Sequence, residues 1–344
     1  MKSVIIESPG KVKIIEVPQP VVNSDEVLLE IEYIGLCGSD LSSYRGLLPL
    51  VTYPVIPGHE ASGIVACKGA HVPDFIKIGD HVTVNPYSAC GVCPACRVGR
   101  VNTCEFNQTL GVQRNGALSE YFAVHYSKIL KSEILSNKEF ALVEPLSVGY
   151  HAANRANVSE SDTVLVIGCG MIGIGAILAS VRKGATVIAS DLDEAKLNLV
   201  KSFGVTHIIN AGESDLLKRV SEITNGDGVS VCIEAVGSAV TYTAAIEAVA
   251  FAGRVVYVGY AKNDVSFNTS LFVKKELDIC GSRNALFEFG PVIQMLEGRT
   301  IPTEKLISRI YPIEETAMAL KDWNDKPGDF IKILIDVKGK SGLN

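Results

Sequence analysis

Apolar and polar positions follow two regimes along this chain. Up to about residue 148 the apolar residues come in short runs, such as Val27–Ile31 and His81–Val84, each closed by turn residues. Runs of this kind, rich in β-branched side chains, predict the strands of an irregular β-rich domain. The opening stretch MKSVIIESPGKVKIIEV also alternates like a strand and lacks the uninterrupted apolar core of a secretory signal. Near Tyr150 the pattern changes. Thr163–Ile167 is a continuous apolar run, followed by a glycine-rich turn and a small-residue helix over Ile174–Val181. Thr186–Ser190, His207–Ile209, Val231–Glu234 and Arg254–Val258 read as further strands. Glu194–Phe203 and Ala239–Ala250 read as helices. Strands that alternate with helices predict a parallel sheet with right-handed crossovers. The expected division is a first domain over 1–149, a second over 150–285, and a tail, 286–344, that returns to complete the first.

Composition narrows the partners. The chain is 47% hydrophobic and 20% charged, with a net charge of −6. That is ample for two packed cores and argues against nucleic acid or an anionic membrane as the main partner. No apolar run reaches the length of a bilayer span. A cytoplasmic location is expected, with thiols reduced or metal-bound.

Four of the nine cysteines, Cys90, Cys93, Cys96 and Cys104, fall within one short segment, CGVCPACRVGRVNTC. Thiolates at these intervals can wrap a loop around one tetrahedral zinc ion, a closed site with no position left for substrate. Two disulfides are the competing reading. They suit small secreted domains better than a chain of this length.

The turn after Thr163–Ile167 reads Gly168-Cys169-Gly170-Met171-Ile172-Gly173. A G-x-G-x-x-G between a strand and a helix is the dinucleotide fingerprint of a Rossmann sheet. Gly168 permits the tight turn, Gly170 the approach of a pyrophosphate, and Gly173 close packing of helix on strand. Met171 and Ile172 open the helix whose N-terminus faces the phosphates. Asp191 lies eighteen residues beyond Gly173 and is followed by Leu192, Asp193 and Glu194. A carboxylate there accepts from a ribose hydroxyl and repels a 2′-phosphate, which favours NAD over NADP. Val236, Val258 and Gly259 are further candidate cofactor contacts.

Cys37-Gly38-Ser39-Asp40, Gly58-His59-Glu60 and Glu144-Pro145-Leu146 supply a second set of zinc-type donors. Each alone is a weak signal. A cysteine, a histidine and a carboxylate together, with an exchangeable position, define a catalytic zinc site. These motifs, the four-cysteine segment, Glu144-Pro145-Leu146-Ser147-Val148-Gly149 and GCGMIG resemble the zinc-dependent medium-chain dehydrogenases across essentially the whole chain. The branch is that of sorbitol, other polyols and threonine.

The resemblance implies an α/β architecture: a GroES-like β-rich catalytic domain plus a doubly wound Rossmann domain. It implies two zinc ions per chain and NAD. Cys37 and His59 become ligands of the catalytic zinc, with Glu60 or Glu144 as the third. Ser39, Glu60 and Glu144 become the catalytic candidates. Asp40 would orient His59, and Ser39 would pass a proton onward. Many relatives place a histidine two residues after the aspartate, where this chain has Ser42. The implied reaction oxidises a secondary hydroxyl of a polyol or sugar acid. Arg283 and Arg45 are the substrate candidates. L-threonine 3-dehydrogenase, a hexitol-phosphate dehydrogenase and a non-catalytic nucleotide-binding protein are the alternatives. A homodimer or homotetramer is expected through Val265–Ser282, read as presenting an edge strand with apolar stretches Ser270–Val273 and Leu277–Cys280.

Overall fold

The computed structural model describes residues 1–339. It divides into two compact units. One comprises Met1–Glu144 together with the chain from Phe289 onward, and the other is Pro145–Glu288.

The first unit opens with a hairpin of β1 (Lys2–Ser8) and β2 (Lys11–Glu16), which turns at Gly10 with φ 74°. Then come β3 (Glu26–Leu36), α1 (Gly38–Tyr44), β4 (Glu60–Lys68) and β5 (His81–Val84). The short helix α2 (Pro94–Arg97), β6 (Tyr121–His125), β7 (Ile129–Lys131) and the long helix α3 (Asn137–Arg155) follow. Strand β3 is the axis of this unit. Val27, Leu29, Ile31, Ile34 and Leu36 all face its core, the alternation slipping by one where the register against β4 shifts between Ile31 and Tyr33.

In the second unit the order is β8 (Thr163–Ile167), α4 (Met171–Arg182), β9 (Thr186–Asp191), α5 (Glu194–Lys201) and β10 (His207–Asn210). It continues with α6 (Leu216–Ile223), β11 (Val229–Glu234), α7 (Ala239–Ala248), β12 (Val249–Tyr257), α8 (Ser270–Lys275) and β13 (Asp278–Gly281). The sheet is parallel, in the order β10-β9-β8-β11-β12-β13. The winding reverses between β8 and β11. Loops leaving these two strands therefore diverge and leave a crevice at their carboxyl ends, the usual place for a dinucleotide.

The chain then returns to the first unit as α9 (Phe289–Glu297), β14 (Ile307–Pro312), α10 (Thr316–Asp325) and β15 (Lys332–Asp336). Strand β15 pairs with β14 on one side and β3 on the other. The last strand therefore lies inside the first unit's sheet, not at its rim.

Three elements differ from the sequence reading. The helix read over Ala239–Ala250 stops at Ala248, because the β-branched Val249 pairs with Val229 and starts β12. Ser270–Val273 lies in helix α8, so the edge strand of the Val265–Ser282 segment is β13 alone. Glu144-Pro145-Leu146, read as a motif before a domain boundary, sits within α3, which continues through Pro145. Among the described residues no helix is long and apolar enough to cross a membrane.

Candidate active site

The four-cysteine segment folds as a lobe around α2. The sulfur atoms of Cys90, Cys93, Cys96 and Cys104 all lie within 4.8 Å of one another. Cys90 Sγ is 4.0 Å from Cys96 Sγ, and Cys93 Sγ is 3.9 Å from Cys104 Sγ. A tetrahedron with Zn–S of about 2.3 Å has sulfurs about 3.8 Å apart, while a disulfide needs about 2.05 Å. The spacing fits zinc and excludes the paired disulfides. Backbone N–H groups of Cys90, Val92 and Cys93 point at sulfur, as suits thiolates. Such bonds, from Cys96 and Glu105, pull the Cys93 thiol down to about 6.

The second donor set is assembled from distant elements of the same unit. Cys37 caps α1 at the end of β3, and Glu60 opens β4 opposite Gly35. A side chain at Gly35 would stand 2.1 Å from Glu60 Oε2, so this glycine makes room for the carboxylate. The ligand atoms of Cys37, His59 and Glu60 lie within 4.8 Å of one another. Asp40 accepts from the Cys37 N–H at 2.8 Å and from the Gly58 N–H at 3.3 Å. The carboxylate is engaged by the two backbone segments that carry the ligands, and His59 Nδ1 has no hydrogen-bond partner. Asp40 reaches the ring by charge alone.

Around these donors the charges are unbalanced. Asp40, Glu60 and Glu144 are buried beside the Cys37 thiol. Lys332, on β15, is a cation that Glu60 and Glu144 share. Its Nζ donates to Glu60 at 2.7 and 2.5 Å and to the Leu36 carbonyl at 2.9 Å. Burial pushes the Asp40 and Glu144 carboxyls up. Burial also pushes Lys332 and His59 down, but the negative charges around them prevail, and both end above their ordinary values. A buried cluster with this excess of acid groups is stabilised by a cation. A thiol, an imidazole and a carboxylate are the donor types zinc takes, so the residues fit the ion.

Glu144 reaches this region from α3, where its Oε1 accepts from the Tyr87 hydroxyl. Burial and the neighbouring Glu144 charge raise the Tyr87 phenol well above its usual range. The Ser39 hydroxyl, two residues after Cys37, is buried without a hydrogen-bond partner. Tyr87 and Lys332 were not singled out by the sequence reading. Lys332 had one usable signal, a lysine in the otherwise apolar run FIKILI. Tyr87 had none.

In the second unit the glycine turn is built as its sequence suggests. Gly168 has φ 99°, and a side chain at Gly173 would sit 1.7 Å from the Gly168 carbonyl oxygen. A side chain at Gly170 meets no protein atom within 4 Å, so the turn is open at the start of α4. Met171 is buried and Ile172 half-buried behind it. Asp191 accepts from the Cys169 N–H at 2.6 Å and from the Asp193 N–H at 3.0 Å, which ties the end of β9 to the turn. Glu234, missed from sequence, is fully buried at the end of β11. Its Oε1 accepts from Val236 N, Gly237 N and the Thr241 hydroxyl, holding the turn that presents the exposed Val236. At Gly259 a side chain would lie 2.3 Å from Gly237 N, so the packing of this strand end itself requires a glycine. Val258 beside it donates its N–H to the Glu234 carbonyl at 2.9 Å.

The two arginines differ. Arg45 donates to the side chain and carbonyl of Asn324, at 2.7 and 3.2 Å, and so ties the end of α1 to α10. Arg283 is half-buried in the loop after β13. Glu288 closes that loop by accepting from Leu286 N and Phe287 N. It is itself held by His151 at 2.8 Å and Asn154 at 3.0 Å.

The alcohol dehydrogenase GroES-like domain model matches residues 23–134, and the zinc-binding dehydrogenase model matches residues 172–297. The sorbitol dehydrogenase of Bacillus subtilis (strain 168) is 34% identical over 97% of this chain and 97% of its own length. The chain belongs to the zinc-dependent medium-chain dehydrogenases. The L-galactonate-5-dehydrogenase of Escherichia coli (strain K12) is 32% identical to this dehydrogenase over 87% of the chain and 88% of its own. The crystal structure of galactitol-1-phosphate dehydrogenase from Escherichia coli superposes with a TM-score of 0.90 at 30% identity, covering 98% of this chain and 100% of that one. As a member of this family the chain is a zinc-dependent oxidoreductase acting on CH–OH groups.

Proposed function

We propose that this dehydrogenase oxidises a secondary hydroxyl of a polyol or sugar acid to a ketone, with NAD as the preferred acceptor. The observation that carries the reading is the convergence of Cys37, His59 and Glu60 in a buried pocket with an excess of acid groups. When bound, zinc supplies Lewis acidity that eases loss of the hydroxyl proton, and NAD supplies the hydride acceptor. One C–H bond of the carbinol carbon breaks as a hydride leaves, and the O–H proton departs separately. The unpartnered Ser39 hydroxyl is the group on this chain suited to relay that proton, accepting it while giving up its own onward toward solvent. Cys37, His59 and Glu60 hold the metal; Gly168–Gly173 and the start of α4 hold the pyrophosphate. Asp191 disfavours a 2′-phosphate, so kcat/KM with NAD exceeds that with NADP by at least about tenfold. Comparable efficiency with both would remove the assignment.

The relatives that act on sorbitol and L-galactonate support both the hexitol and the hexonate reading. Arg283 separates them, because a guanidinium can bind a carboxylate bidentately. The test is a screen of NAD reduction over hexitols, hexonates, hexitol phosphates and threonine, repeated with Arg283→Ala. A loss of about ten- to hundredfold on the hexonate alone supports a carboxylate clamp. An equal loss on both substrates assigns Arg283 to cofactor or scaffold. Turnover confined to the phosphates or to threonine overturns the polyol reading.

The edge strand β13, with Ile279 36% exposed, and the 85% exposed Val273 on α8 support a homo-oligomer built on this edge. A monomeric mass in light scattering would overturn it. Nine cysteines without a disulfide support a cytoplasmic location, checked by fractionation.

A further inference from the structure

We propose that the first unit carries a second small-molecule site, a pocket for a phosphate ester, between the β1–β2 hairpin, the end of α1 and the first turns of α10. The cavity there measures about 480 Å³, within the range of small-ligand sites. Three of its lining residues are lysines, Lys11, Lys13 and Lys321, and among the described residues no acid lines it. In a chain with a net charge of −6, this cavity collects the opposite sign. Among the described residues Lys11 Nζ has no hydrogen-bond or ion-pair partner. Lys13 holds Glu7 at 2.5 Å and Lys321 holds Asp325 at 3.0 Å. Both pairs are exposed, so each contributes little and gives way readily to an incoming anion.

The walls of the pocket are tied to one another before any ligand arrives. Gly10 N donates to the Tyr44 carbonyl at 2.8 Å, which joins the hairpin turn to α1. Arg45 joins α1 to α10 through Asn324. Lys2 Nζ donates to Glu314 at 2.5 Å, joining β1 to the approach to α10. Val12 and Tyr44 pack on the core of the unit. The lining selects the ligand. A lysine ammonium is a compact cation with three donors and binds phosphate as a point charge. A phosphate monoester carries about −1.5 to −2 at neutral pH, which matches more than one ammonium group, as a monocarboxylate does not. Val12, Ala317, Met318 and the Tyr44 ring give apolar surface to the organic part of the ester. The pocket lies apart from the metal cluster. Cys37 caps one end of α1 and Tyr44 closes the other, and a helix of that length spans about 10 Å.

The experiment is isothermal titration calorimetry of the full, zinc-loaded chain at constant ionic strength. The probes are glycerol 3-phosphate, phenyl phosphate, inorganic phosphate and unphosphorylated glycerol. Each titration is repeated with Lys11→Ala/Lys321→Ala, two exposed positions outside the metal and dinucleotide sites. The quantity read is the binding lost in this variant, because a site elsewhere on the chain is untouched by the change. The two esters are expected to bind the wild-type chain with Kd below about 1 mM, at least about tenfold tighter than glycerol. The double variant is expected to weaken them at least about tenfold, with turnover at the wild-type level. Ala317→Glu, which puts a carboxylate into the cavity, is expected to abolish the same binding. Equal affinity in the wild type and the double variant overturns the proposal, as does ester binding that survives Ala317→Glu or is absent from the wild type. Esters bound no more tightly than inorganic phosphate overturn the ester assignment in favour of free phosphate. Turnover that falls together with ester affinity in the double variant places these lysines in the reaction and overturns the second site.

Discussion

The two metal-type clusters of the first unit contrast in how they are made. The lobe draws four thiols from one short stretch, Cys90 to Cys104, and surrounds them with exposed Val92, Val98 and Phe106. The catalytic cluster draws on the end of β3, the start of β4, α3, the segment before the lobe and the final strand, and is buried. A local cluster needs only its own loop and its ion. An assembled cluster needs the whole unit, and must neutralise its excess charge by other means before a metal arrives. In the lobe, bound zinc would offset the thiolate charge directly. The catalytic cluster has Lys332 because its ligands are buried as part of a core.

The strongest way to break this comparison is at Cys37. Cys37→Ser should lower turnover by at least about a thousandfold, roughly 4 kcal/mol, while the lobe keeps its zinc and the far-UV spectrum is unchanged. Turnover at the wild-type level would remove Cys37 from the chemistry. Next is Lys332→Met, which leaves Glu60 buried without its partner. Metal-free protein should lose about 3 kcal/mol in denaturant unfolding, and less when zinc is bound, because the ion takes over the compensation. Equal losses with and without metal would mean that Lys332 and the metal do not share Glu60. Cys96→Ser should have the smallest effect on chemistry. Zinc content falls from two to one and the melting temperature drops by several degrees. Turnover of the protein that remains folded changes modestly, because Ser88 N, beside Tyr87, donates to Asn107 Oδ1 just past Cys104. Unchanged zinc content would dissolve the lobe as a metal site.

Legibility from sequence followed the same division. The lobe and the glycine turn were readable because their chemistry is local. Four cysteines at short intervals, or Gly168, Gly170 and Gly173 between a strand and a helix, state their geometry in the spacing. Cys37, His59 and Glu144 could be singled out as donor types, but their companions could not. Lys332 is far from Glu60 in sequence and reads as a strand residue. Tyr87 has no signal, because its role depends on a helix that continues through Pro145. That proline hid α3, since a proline ordinarily ends a helix. Gly259 had a reason to be glycine that the sequence did not display, because Gly237 N packs where its side chain would stand. Asp40 was linked to the ligand set through His59, and its partners in the structure are the Cys37 and Gly58 N–H groups, which no side-chain pattern displays.

The place of Lys332 on the last strand has a consequence for how the protein is made. It lies 272 residues beyond the carboxylate it neutralises. During synthesis, Cys37, His59 and Glu60 are therefore added long before their counter-ion. The continuous segment Pro145–Glu288, with its own sheet, can fold in the interval. The first unit must then accept β15 between β14 and β3, a long-range pairing of the slow kind. Until that strand arrives, Glu60 lacks the ammonium group that the finished fold places on it.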